Sequence, residues 1–277
     1  MGAISEKASR VRLEVIVVLR SIALALVLMV AASSYAQPDA THEMVLVPFD
    51  TLVVNGSGGE VWKAELRVRN SADVAVNLFP ETCFTFGRPI PCDLRIDVAA
   101  GVTQPLDVRT YDSLRNPGLL LYVPNSHRQE LSFSLTVRNV AADDTVGTSV
   151  PVVRASQLQP VARIVGVPIV SGHRVTLRVY DPFLFANPVF RVRVIDEATN
   201  ALLADRKYSQ LLPTDPPTPA LVPETFDFSD ALAVADQWGA ERVTVIVDRV
   251  WPPNLGYWPM ISVTSNADGR IAIFTPQ

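Results

Sequence analysis

The side chains with the most recognisable chemistry sit in the loop Trp251-Pro252-Pro253-Asn254-Leu255-Gly256-Tyr257-Trp258-Pro259. Proline fixes backbone φ, so rings carried on such a loop lose little conformational entropy when they meet a flat ligand. Trp251, Tyr257 and Trp258 are therefore the candidate ligand-binding residues, a stacking surface for a sugar ring or a protein partner. The competing reading places the same rings as plugs at the open end of a β core, because large aromatics dominate core energetics. Trp62 and Trp238 stand singly and read as core residues.

No set of residues shows the spacing that catalysis demands. His42, His127 and His173 are the only histidines, and none neighbours a nucleophile and an acid in a known pattern. His42-Glu43 lacks the second histidine of a zinc-protease helix, and the glycine-rich stretch Asn55-Gly56-Ser57-Gly58-Gly59 lacks the Lys-Ser/Thr pair of a phosphate loop. That stretch reads as a turn between a strand ending at Val54 and one starting at Val61. Asp143-Asp144 and Asp196-Glu197 fall between strand-like runs and read as solvated turns, with a weak calcium site as the alternative. A hydrolase whose carboxylates meet only in three dimensions, for example two of Asp181, Asp196, Asp227 and Asp248, is the alternative from a different functional class. The expectation is a non-enzymatic chain with no catalytic residues, no cofactor and no metal.

Cys83 and Cys92 are the only cysteines and bracket a segment with Gly87-Arg88 at its centre, which suggests a hairpin. If they face each other across it, their separation suits a disulfide. Closing so small a loop stabilises by roughly 2–3 kcal/mol at most. A zinc site would need ligands that are not nearby.

The compartment that would allow such a bond is legible at the N-terminus. Lys7, Arg10, Arg12 and Arg20 precede an apolar run from Ile22 to Ala32 that ends in Ser34-Tyr35-Ala36. Basic residues, a short apolar run and small residues before the cut form a secretory signal peptide, which places the mature start near Gln37. An uncleaved anchor would put Arg20 in the middle of the apolar stretch, where a charge is costly. Without the leader, with its four basic and two acidic residues, the formal net charge moves from -4 to about -6. Lys63 and Lys207 are the only lysines beyond the leader, and the arginines are spread singly along strand-like runs, so no basic patch and no nucleic-acid partner is expected.

The elements that must position these residues are strands. Leu131, Phe133, Leu135 and Val137 alternate with polar residues, as do Val243, Val245 and Val247. The same pattern covers Val61 to Arg69, Val74 to Phe79, Leu94 to Val98, Arg174 to Tyr180, Val189 to Ile195 and Met260 to Thr264. Short strands with Pro and Gly between them imply antiparallel sheets packed as sandwiches. Phe228 to Trp238 is the best helix candidate, with Ser229 as its cap. The Pro-dense segment Pro213 to Pro223 reads as a surface loop.

An internal repeat divides the chain. Leu66 to Asn70 with the strand Val74 to Phe79 matches Leu177 to Asp181 with the strand Val189 to Ile195 at an offset of 111 residues, and Leu131 to Val137 matches Glu241 to Val247 at nearly that offset. The expected domains are 37–155 and 156–277, after a leader at 1–36. Val45-Leu46-Val47-Pro48 with Gly56 to Trp62, Ser149 to Val153, and Ile261 to Gly269 resemble a group of exported bacterial proteins. That resemblance implies tandem immunoglobulin-like β-sandwiches and transfers no site. The expectation for function is an exported, periplasmic or extracellular, all-β protein acting by surface recognition on a protein or glycan partner, or as a structural module. No membrane insertion is expected after the leader is removed.

Overall fold

The strands follow from the alternation just described, and the computed structural model describes residues 41–49, 53–56, 59–85, 88–91, 93–106, 118–142, 147–183, 188–209, 224–233 and 237–277. The leader 1–36, Cys92, Asp143-Asp144 and the segment 213–223 lie outside the described residues. The first group of strands is β1 (His42–Val47), β2 (Val53–Asn55), β3 (Val61–Asn70), β4 (Val76–Pro80), β5 (Phe84–Thr85), β6 (Arg88–Pro89), β7 (Ile96–Val98), β8 (Thr103–Leu106), β9 (Leu119–Pro124), β10 (Leu131–Asn139), β11 (Thr148–Val150) and β12 (Val153–Arg154). The second is β13 (Val161–Pro168), β14 (His173–Asp181), β15 (Val189–Asp196), β16 (Leu202–Ser209), β17 (Glu224–Asp227), β18 (Arg242–Trp251), β19 (Trp258–Ser265) and β20 (Ile271–Phe274). The protein is all-β, with antiparallel sheets in a sandwich-like arrangement.

The first group forms one sheet in the order β12-β1-β9-β4-β7 and a second in the order β11-β10-β3, where β2 and β8 share the far side of β3 end to end. The second group forms β13-β18-β15-β16 and β17-β14-β19-β20. The orders correspond strand for strand: β1-β9-β4-β7 matches β13-β18-β15-β16, and β8-β3-β10-β11 matches β17-β14-β19-β20. One core gathers Val45, Leu66, Leu78, Leu121 and Leu135, the other Ile164, Leu177, Val192, Val245 and Ile261, each drawing on both of its sheets. Residues 38–277 form one compact unit.

This correspondence corrects half of the sequence repeat. The 111-residue offset does relate β3 to β14 and β4 to β15. It fails for Leu131 to Val137 against Glu241 to Val247, because β10 bonds to β3 whereas β18 bonds to β13 and β15 in the other sheet. The counterpart of β18 is β9. Both strands alternate, and alternation reports one buried face without saying which sheet owns it. In an immunoglobulin sandwich the first strand lies beside the second and the seventh beside the sixth. Here β13 lies beside β18 and β19 beside β14, with β1 beside β9 and β10 beside β3 in the same way, which departs from that order.

Strand β9 escaped the pattern search for a physical reason. Leu119, Leu120, Leu121, Tyr122 and Val123 are all buried, so the strand has no solvent face and no alternation. On one side Phe84 stacks on Tyr122 with ring centroids 3.7 Å apart. Phe84 belongs to the excursion between β4 and β7, which the second half replaces by the tight turn Asp196 to Ala201.

Candidate functional site

The aromatic loop is built as core, which corrects two of its three candidate residues. Tyr257 is fully buried, its hydroxyl donates to the Val247 carbonyl, and its ring meets Phe190 edge-on at 5.1 Å. Burial pushes its phenol well above the usual range. Trp258 is 5% exposed and lies 5.7 Å from the Tyr180 ring. Gly256 is required by close approach, since a Cβ there would sit 2.7 Å from the Leu158 Cβ. Trp251 alone is available to a ligand, at 51% exposure, because it ends β18 on the outer side. Trp238, expected in the core, is 73% exposed. The described part of its segment holds a 3-10 turn at Ser229–Ala231, and residues 234–236 lie outside the described residues.

The cysteine hairpin forms with a different centre. Phe84 pairs with Pro89 and Thr85 with Arg88, and the Ile90 N–H donates to the Cys83 carbonyl at 2.9 Å. Cys83 therefore opposes Ile90. It is buried, with its sulfur 3.1 Å from the Leu94 carbonyl oxygen. Its expected partner, Cys92, lies outside the described residues. Beside it Glu81 keeps part of its surface in solvent, but its Oε2 is sealed without a hydrogen-bond partner, and burial pushes the carboxyl up to about 8.

The four carboxylates that sequence alone left free to meet are held apart. Asp181 is fully buried against Arg249, whose guanidinium also lies 5.2 Å from the Phe190 ring centre. Asp196 accepts from Ala198 N–H and the Thr199 hydroxyl, the hydroxyl chiefly holding its pKa down. Asp227 accepts from Ser229, and Asp248 from Arg193 at 2.8 Å. Asp196 faces Val243 on β18, five residues from Asp248, or about 17 Å along the strand. Asp227 faces Arg178 on β14, three residues from Asp181, or about 10 Å. Glu197 accepts from Gly166 N–H at 2.7 Å and the Thr244 hydroxyl at 2.8 Å, which makes the Asp196-Glu197 turn structural. Among the described residues no group of three or more His, Cys, Asp or Glu is arranged to hold a metal, and no helix is long and apolar enough to cross a membrane.

The surface that distinguishes the molecule comes from comparing equivalent sheet faces. In the second half, Leu177, Val179, Ile261 and Val263 point into the core. The opposite face of the same sheet carries Arg174, Arg178, Tyr180, Trp258 and Met260, with Arg178 directly opposite Met260 and Tyr180 opposite Trp258. That outer face is covered by the first half. Arg174 pairs with Glu60, Arg178 lies over the Phe49 ring at 5.9 Å, the Tyr180 hydroxyl donates to the Pro48 carbonyl at 3.0 Å, and the Thr148 hydroxyl donates to the Ile271 carbonyl at 2.7 Å. Tyr180, Trp258 and Met260 thereby join the first half's core.

Among the described residues the equivalent face of the first half is open along β3, while Arg138 on β10 is half-buried with its Nε sealed. Along β3, Lys63, Arg67 and Arg69 are exposed and Glu65 is half-buried, while Ala64, Leu66 and Val68 point inward. Across the ladder, Arg138 stands opposite Lys63, Thr136 opposite Glu65, Ser134 opposite Arg67 and Ser132 opposite Arg69. The arginines that looked scattered are thus gathered, because period two sends every second residue to one face. This corrects the expectation of no basic patch. Glu65 is held below its usual range chiefly by Arg67, 2.6 Å away, with help from the nearby Arg138 and Lys63.

Compared with known protein families, curated proteins and solved structures, the chain matches none.

Proposed function

We propose that the chain is an exported, non-catalytic pair of immunoglobulin-like β-sandwich modules, dividing near residue 155, that acts by recognising a partner at its surface. The observation that carries this reading is the contrast between the two equivalent sheet faces. One is used to lock the halves together, and the other presents a flat array of charged and hydroxyl side chains to solvent. Elsewhere Arg191 pairs with Asp205 at 2.5 Å, Arg193 with Asp248 and Arg206 with Asp230. Export and the Cys83 to Cys92 disulfide belong to the same proposal: N-terminal sequencing of the secreted protein should read from near Gln37, and its intact mass should rise by two hydrogens on reduction. Screening that protein on arrays of neutral and acidic glycans and of envelope proteins tests recognition. Failure to bind any of them would overturn the proposal.

A second reading makes the chain a carbohydrate-binding module working through Trp251, which its half exposure supports. Glycan binding lost on Trp251→Ala would favour it.

A further inference from the structure

The open face of β3 and β10 has features that select a partner. Lys63 and Arg138 are directly opposite, at a separation where like charges repel, and among the described residues no carboxylate pairs with Lys63, Arg69 or Arg138. Across the face four positive side chains meet one carboxylate, on a protein whose formal net charge is -4. The second half supplies an internal precedent. At the 111-residue offset Lys63 corresponds to Arg174, and Arg174 binds a carboxylate, that of Glu60. A neighbouring protein surface there also brings apolar groups, to which Tyr180, Trp258 and Met260 respond.

In the first half those apolar positions are replaced. Arg69 stands where the second half has Tyr180, and Ser132 and Ser134 face Arg69 and Arg67 where Trp258 and Met260 face Tyr180 and Arg178. Protein interface cores are depleted in charge and rich in aromatics, and this face is the reverse. Single-stranded nucleic acid would need stacking rings, which the face lacks. A hydrated chain bearing several carboxylates meets the chemistry presented: positive groups at Lys63, Arg67 and Arg69, about 13 and 7 Å apart along β3, with serine and threonine hydroxyls beside them on β10 to bond sugar oxygens.

We propose that this face binds an acidic polysaccharide, with Lys63, Arg67, Arg69 and Arg138 engaging its carboxylates and Ser132, Ser134 and Thr136 its hydroxyls. The inference rests on the recognition role proposed above and names its partner. The partner also relieves the Lys63–Arg138 repulsion, which Glu65, already bonded to Arg67, offsets only in part.

The test uses the purified protein and four probes: polygalacturonate, its fully methyl-esterified neutral form, random-sequence duplex DNA and phosphatidylglycerol vesicles. Polygalacturonate should bind with an affinity that falls steeply as salt rises, and the methyl ester should not bind. Arg67→Ser/Arg69→Ser should weaken binding about 10- to 30-fold at low salt, taking a few-fold to tenfold per basic residue at an anionic surface. Arg163→Ser/Lys207→Ser removes the same charge from exposed positions of the other sheet pair and should change affinity less than threefold. Unchanged melting temperatures confirm that both variants fold. Equal losses in the two variants, tighter binding of DNA or vesicles than of polygalacturonate, or no polygalacturonate binding would each overturn the assignment. If polygalacturonate fails while an array glycan or protein still binds, recognition stands and only the partner class falls.

Discussion

Removing either member of the Asp181–Arg249 pair should be among the most destabilising single changes in the second half. Both side chains are completely buried, and Arg249 already leaves Nε and Nη1 without partners. The remaining nitrogen spends its bond on Asp181, and Asp181 in turn accepts the Phe183 N–H at 3.1 Å, so the pair anchors the end of β14 to the end of β18 across the sandwich. Desolvation pulls the guanidinium down to about 10, which shows how poorly the site replaces water. Asp181→Ala would strand a buried cation with only the Phe190 ring beside it and should cost about 3–5 kcal/mol. Domain stabilities are only about 5–15 kcal/mol, so the change removes a large share of the total. Asp181→Leu combined with Arg249→Met removes both charges and keeps the volume, and should return to within about 1 kcal/mol of the parent or exceed it. Urea unfolding followed by tryptophan fluorescence and by circular dichroism, with coincident transitions required, gives the three free energies and the coupling. A single-variant cost below about 1 kcal/mol, or a double variant no better than the singles, would refute the assignment of a mutually compensating buried pair.

Other perturbations test separate parts of the structure. Glu81 has a folded pKa of about 8 against an ordinary 4.5, so its burial costs nothing where both states are protonated, and the cost grows as pH rises through that window and levels off above 8. Glu81→Gln should therefore be nearly neutral at pH 4.5 and stabilising by a few kcal/mol at pH 8, below a ceiling of about 5 kcal/mol at ~1.4 kcal/mol per pH unit; equal urea midpoint shifts at the two pH values would contradict this. Tyr180→Phe leaves the Pro48 carbonyl without its donor and should cost about 1–2 kcal/mol in the same assay; an unchanged urea midpoint would contradict this. Trp258→Ala should cost about 3–5 kcal/mol through the cavity it opens between Tyr180 and the core, whereas Trp251→Ala should leave the melting temperature within the range of a surface change.

Strand type and approximate extent were legible wherever the sequence alternates: β3, β10, β15 and β18 alternate in burial as well, whereas β14 and β19 alternate in sequence although the first half buries much of their outer face. Strand β9 was not, because it is covered on both sides. The aromatic loop was legible as a cluster, but nothing local distinguishes a ring that stacks on a ligand from one that plugs a core. Asp181 and Arg249 lie 68 residues apart, so their meeting depends on the order of strands in two sheets.

The amino-acid sequence by itself determined which residues alternate, where turns interrupt them, and hence that the chain must fold as paired sheets. Those are local properties, written in the period of the backbone and in the φ angles that Pro and Gly permit. Only the tertiary structure decided which sheet each strand joins, because a half-buried strand is equally satisfied on either side of a core. From that choice follows the difference between two equivalent faces: one takes Glu60 of the first half against Arg174, and the other leaves Lys63, Arg67 and Arg69 facing solvent.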